Sequence, residues 1–175
     1  MWSTVRLALA FAVFAAMLVE AARAARNERR QLSRGGREPS GDVYPLMRLA
    51  YPAAFIVMLL EQRAGPPPRV FAAGAALFAI GKTLKWWAIL TLGPAWTFRV
   101  IVVPGDARVT VGPYRFLRHP NYAGVVGELV GVALMTGARV TGPIVLVLFG
   151  LLLKKRIIVE ERALSAGGPV IDHHV

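Results

Sequence analysis

The sequence predicts an all-α integral membrane protein with about five transmembrane helices, and three observations predict it. Hydrophobic residues make up 55% of the 175 residues, charged residues only 18%, and the mean hydropathy is +0.51. The apolar residues fall in long runs, and in lipid a run of that kind satisfies its backbone hydrogen bonds by forming a helix. The 21 Lys and Arg outnumber the 10 Asp and Glu for a net charge of +11, and they gather in alternate segments between the runs. That segregation is the positive-inside pattern of a membrane protein and argues against a nucleic-acid-binding surface. The absence of cysteine excludes disulfides, thiolate zinc sites and cysteine nucleophiles.

The first helix is expected at about residues 5–22. Within it, the apolar run 7–19 is preceded by Arg6 alone and followed by Glu20, Arg23, Arg26, Arg29 and Arg30. A secretory signal carries its charge on the other side, so this segment is expected to be a retained span. The second helix is expected at about 44–60, bent by Pro45 and Pro52. The third, about 70–92, carries Lys82, Lys85, Trp86 and Trp87 in its second half. The fourth runs from near Pro120 to near Thr136, where Gly137-Ala138-Arg139 turns the chain. The fifth, about 141–153, is short for a full span and is expected to form a tight hairpin with the fourth.

Loop charges orient the bundle. Residues 23–37 hold six arginines, 93–119 hold Arg99, Arg108, Arg115 and Arg118, and the segment after the fifth helix opens with Lys154-Lys155-Arg156. The opposite loops hold only Arg63, Arg69 and Arg139. The N-terminus is therefore expected outside and the C-terminus in the cytoplasm. Two of the cytoplasmic stretches have structure of their own. Residues 100–103 (VIVV) read as an extended segment, and 154–164 (KKRIIVEERAL) as a helix leaving the membrane with Arg156 and Glu160 on one face.

Chemistry concentrates in two places. In residues 109–122 (VTVGPYRFLRHPNY), Gly112-Pro113 makes a turn and Pro120 suits the first position of a helix. The free N–H groups of that helix then stand beside Arg118, His119 and Asn121, where an anion would bind. A polar cap whose arginines contact lipid phosphates accounts for these residues equally well. The second place is Arg156 with Glu160 and Glu161, which on their own suggest a solvated helical pair. Together the two clusters read as one pocket at the cytoplasmic mouth. Glu128, inside the fourth helix, is expected to pair with Lys82 or Lys85. Trp86, Trp87 and Trp96 are expected to anchor at the interface, and Gly124, Gly127 and Gly131 to allow close helix packing.

GPYRFLRHPNY at 112–122, followed after a hydrophobic hairpin by RIIVEERAL at 156–164, resembles the isoprenylcysteine carboxyl methyltransferase family. WTFRVIVVPG at 96–105 is similar to its bacterial branch, some members of which methylate lipid-like polyketides such as alkylpyrones. The resemblance covers about residues 86–164. It implies a bacterial inner-membrane enzyme with S-adenosyl-L-methionine as cofactor and a cytoplasmic cofactor pocket built from residues 93–164. It also implies a lipid-like acceptor carrying a carboxylate or acidic enol, with membrane lipids around it and no nucleic acid.

By the same resemblance His119, Pro120, Asn121 and Tyr122 match the motif that lines the cofactor pocket, Val109 and Tyr114 match cofactor-contacting positions, and Glu160 matches a cofactor-binding glutamate. Arg156 matches the arginine near the substrate anion, and Arg99 falls loosely near a further cofactor position. No metal is implied.

Phospholipid N-methyltransferases share much of this pattern. Sterol-type reductases, which use NADPH, share its start but place glutamate where this chain has Val125, and a non-catalytic membrane scaffold remains a third alternative. Residues 1–164 form the expected domain. The tail 165–175 (SAGGPVIDHHV) departs from the family, which continues there with a G-x-x-Y-x-x-Y helix. His173 and His174 are expected to be tail residues.

Overall fold

A computed structural model describes residues 2–61 and 65–167; Arg63, His173 and His174 lie outside the described residues. Five α-helices follow in order: α1 Trp2–Ser33, α2 Tyr44–Glu61, α3 Pro68–Leu92, α4 Pro120–Thr136 and α5 Thr141–Gly167. Single 3-10 turns occupy Gly93–Ala95 and Gly112–Arg115. No strand occurs among the described residues, and the segment expected to be extended at 100–103 makes a single antiparallel bridge, between Arg37 and Val102.

Three of the expected five helices, α1 to α3, are long and apolar enough to cross a membrane. The other two fall short for separate reasons. At 17 residues α4 is about 26 Å long, under the ~30 Å hydrocarbon core. In α5 the apolar run ends where Lys154, Lys155 and Arg156 begin, although the helix itself continues without a break to Gly167.

Proline and glycine set the ends of α3 and α4. Pro68 opens α3 and Pro120 opens α4, where a missing N–H costs nothing. Gly137 closes α4 in the left-handed conformation (φ 67°), its N–H reaching the carbonyls of Ala133 and Leu134. Elsewhere an acidic side chain does the capping. The α2 residue Glu61 accepts hydrogen bonds from the Val140 and Thr141 N–H groups at 3.0 and 2.7 Å, placing a carboxylate at the start of α5.

The arginine-rich stretch expected as a loop from residue 23 is instead helical as far as Ser33. Asn27 and Gln31, one turn apart, explain the difference. Asn27 Nδ2 donates to the carbonyls of Gly93 (3.0 Å) and Trp96 (2.8 Å), and Gln31 Nε2 donates to that of Pro94 (2.7 Å). Polar residues on one face thus dock the extended α1 onto the loop after α3. Trp96 is buried there against Ala24 and Ile89 rather than anchoring at the interface.

The core gathers Val13 of α1, Phe55 and Met58 of α2, Leu129 and Val132 of α4, and Phe149 and Leu153 of α5. Although α4 turns directly into α5, its most extensive contact is with α3. Glycines on both helices let the backbones meet, as expected for Gly124, Gly127 and Gly131. A Cβ on Gly131 would sit 2.7 Å from the Phe78 nitrogen and 2.8 Å from the Gly74 carbonyl oxygen, whereas Gly150 on α5 faces open space. In an unconstrained helix, Gly→Ala gains about 1 kcal/mol. We expect that gain for Gly150→Ala, and for Gly131→Ala a net loss of about 1–3 kcal/mol from overpacking. Thermal unfolding of the two variants in one detergent should give shifts of opposite sign.

Candidate active site

Pro120 starts α4 immediately after His119, so the side chains of the first turn face the lower half of α5. Tyr122 Oη donates to Glu160 Oε2 at 2.6 Å, and Arg156 Nε donates to the same Tyr122 oxygen at 3.2 Å. His119 stacks on Tyr122 with ring centroids 5.5 Å apart and planes 19° from parallel. Its Nε2 lies 2.9 Å from Glu161 Oε1, and its Nδ1 lies 4.0 Å from Glu160 Oε2. Arg108 completes the rim, with Nη2 2.7 Å from Glu161 Oε1. That hydrogen bond foremost holds the Glu161 carboxyl below its usual range, so at neutral pH it is ionised and fixes His119 in place. Tyr114 is pushed well above the ordinary phenol value, by burial first and by Glu160 second, and stays a neutral donor.

Arg156 is 5% exposed and is held on every side. Besides Tyr122 it contacts Asp42 and the Phe98 carbonyl. Asp42 also accepts from the Tyr44 N–H at the start of α2 and from the Val100 N–H, both at 3.0 Å. It therefore ties three segments together. Sequence reasoning missed it, although an aspartate just before an apolar run is a recognisable helix-start signal. Arg99, with Glu28 at 3.2 Å and Glu38 at 2.6 Å, pins the same linker from outside.

A cavity of about 1040 Å³ runs through this cluster and up between the helices. Val109, Tyr114, His119, Asn121, Tyr122, Arg156 and Glu160 all line its lower end, and Arg99 does as well. Pro120 is buried behind them. The upper end is apolar, lined by Phe14, Met17, Met47, Val125, Phe149 and Leu153. Leu18 lines the cavity and is also 72% exposed, so this arm opens sideways at α1.

Above the polar end lies a buried charge cluster. Lys85 Nζ is 2.6 Å from Glu20 and 3.5 Å from Glu128, and Lys82 Nζ is 3.0 Å from each of the same two carboxylates. Tyr51 Oη donates to Glu128 at 2.6 Å. Glu128 thus pairs with both of the lysines expected for it. Glu20, which the sequence suggested only as the end of a span, is the fourth member.

The isoprenylcysteine carboxyl methyltransferase family profile matches residues 74–166, which takes in α4, α5 and the loop that carries the cluster. The chain belongs to that family. Its members are methyltransferases, and the family generally uses S-adenosylmethionine. The chain is 30% identical over 149 residues to the Bacillus subtilis (strain 168) uncharacterized protein YpbQ, covering 83% of this chain and 88% of that protein. It is 29% identical over 93 residues to an uncharacterized protein of Haemophilus influenzae (strain ATCC 51907 / DSM 11121 / KW20 / Rd), covering 53% of this chain and 54% of that one. No solved structure matches the chain significantly.

The lower cavity suits the family's cofactor. S-adenosylmethionine offers an ammonium, ribose hydroxyls and an adenine amine, all of which need acceptors. Asn121 Oδ1 is a buried oxygen with no hydrogen-bond partner among the described residues, and it belongs to a residue that lines this cavity. Left unmatched, such an atom is costly, so a ligand donor there is a physical gain. The Glu160 carboxylate nearby supplies a second acceptor, with charge.

Proposed function

We propose that this protein is an S-adenosylmethionine-dependent O-methyltransferase acting on the carboxylate or acidic enol of a lipid-like acceptor. The observation that carries the reading is a single cavity with two chemistries. Its polar end gathers residues far apart in the chain, from Val109 to Glu160, and its apolar end reaches the exposed Leu18 on α1. Val109, Tyr114, His119, Pro120, Asn121, Tyr122 and Glu160 form the cofactor side. Glu160 and Asn121 accept from cofactor donors, the His119–Tyr122 stack forms a wall, and Pro120 sets the start of the helix behind it.

When bound, the cofactor supplies an electrophilic methyl group, whose bond to sulfur breaks as its bond to the acceptor oxygen forms. The acceptor carboxylate is already ionised at neutral pH, so this chain needs no strong general base. Its residues align the two partners and keep water out. Arg156 stands between the two zones, held by Asp42 and Tyr122, and its charge favours an acceptor anion there. The arginines on the lower part of α1 and the cations of the α5 extension support a cytoplasmic site and C-terminus, with the N-terminus outside. The cofactor then arrives from the cytoplasm and the acceptor from the bilayer.

The test is transfer of tritiated methyl from S-adenosylmethionine into a bacterial lipid extract by the full chain in nanodiscs. We expect organic-soluble label that is released as methanol, by alkali from the methyl ester of a carboxylate or by acid from the methyl ether of an enol. Alkali-stable label on an amine-bearing lipid would instead favour N-methylation, and no label above that of a nanodisc blank would contradict the reading.

A further inference from the structure

The cations around the cavity are mostly spoken for. Lys85 meets Glu20, Arg99 meets Glu28 and Glu38, Arg108 meets Glu161, and Arg156 meets Asp42. Two arginines that line the cavity have no hydrogen-bond or ion-pair partner among the described residues: Arg48 and Arg118. Arg118 adjoins His119, at the cofactor end. Arg48 lies on α2, one turn after Tyr44 and on the same face. Tyr44 stacks on Phe98 with centroids 6.1 Å apart, and the Phe98 carbonyl is an acceptor of Arg156. Arg48, itself exposed, therefore lines the cavity on the Tyr44 side of α2. It also lines a side groove, shared with Glu28, Asp42 and Tyr44, that leads outward past the start of α2.

We propose that Arg48 is the acceptor-anion subsite: its guanidinium receives the head group of a single-chain anionic amphiphile whose tail lies in the apolar arm. The proposal rests on the methyltransferase reading and adds a residue and a substrate class to it. Each of the three Arg156 nitrogens already donates to a protein partner, so it mainly contributes charge, whereas all the donors of Arg48 are free for a carboxylate or enolate. Met47 beside it and Phe14 and Met17 across the cavity supply the apolar lining for the first part of the tail. One charge-assisted contact of this kind gives about a tenfold preference for the anion.

The full chain in phosphatidylcholine nanodiscs, loaded with a fluorescent fatty-acid probe, tests this by competition with myristate or uncharged myristyl alcohol. We expect wild type to favour myristate about tenfold beyond the empty-disc control, Arg48→Gln to lose the preference, and Arg48→Lys to recover part of it. S-adenosylmethionine binding, measured on the same samples, should be unchanged in Arg48→Gln. Its absence in wild type would strike the methyltransferase reading and leave the anion preference separately readable. A preference retained by Arg48→Gln, or none in wild type, overturns the proposal. So does a preference that disappears when phosphatidylglycerol replaces part of the phosphatidylcholine, since Arg48 would then serve lipid phosphates.

Discussion

Lys85→Met is expected to destabilise the protein by about 3–5 kcal/mol, the largest effect of any single substitution considered for the bundle. The Lys85 side chain is 3% exposed, and those of its two carboxylate neighbours Glu20 and Glu128 are 1% and 2% exposed. Two positive and two negative groups there are balanced, and the buried surroundings give an unmatched carboxylate little solvation. Removing the ammonium leaves Lys82 to serve both acids, so one charge is stranded. The double variant Lys85→Met/Glu20→Gln restores the balance and should recover most of the lost stability. Denaturation in mixed micelles, followed by tryptophan fluorescence, measures both variants. Equal destabilisation of single and double variants would show that packing around Lys85, and not charge, holds the cluster.

Glu160→Ala is expected to weaken S-adenosylmethionine binding by roughly 10- to 100-fold, because a charged acceptor is lost from the cofactor side. The substitution also leaves the Tyr122 hydroxyl without its 2.6 Å acceptor, which frees that ring from one of its constraints. Tyr122→Phe separates these contributions. It keeps the carboxylate and the stack with His119 but removes the hydroxyl that orients Glu160, so it should cost less than Glu160→Ala. Thermal unfolding without cofactor should change little for Glu160→Ala, since the Glu160 side chain is 29% exposed, whereas Tyr122→Phe should cost about 1–3 kcal/mol because it strips an acceptor from the buried Arg156. A Tyr122→Phe loss as large as that of Glu160→Ala would move the main cofactor contact from Glu160 to Tyr122.

Residue chemistry that acts locally was legible in the sequence. Pro120 marks a helix start, Gly137 marks an end, and Gly124, Gly127 and Gly131 signal close packing. Most of the residues singled out in 109–122 and 156–164 lie along one cavity, with Pro120 and Glu161 outside its lining, and helix periodicity placed Arg156 and Glu160 on a common face. What stayed hidden depends on partners remote in the chain. The arginines after residue 22 look like a loop until Asn27 and Gln31 find the carbonyls of residues 93, 94 and 96. Nothing near Asp42 announces Arg156, which lies 114 residues away. The role of Trp96 reversed for the same reason, since a tryptophan at a helix end suits an interface or a buried docking point equally well.

The central claim is that the polar end of the cavity holds S-adenosylmethionine, and calorimetry on the detergent-purified full chain tests it most directly. Wild type should bind S-adenosylmethionine with a Kd on the order of micromolar, and the heat should fall sharply in His119→Ala and Glu160→Ala. No binding by a folded wild-type protein, or binding of NADPH in its place, would contradict the account.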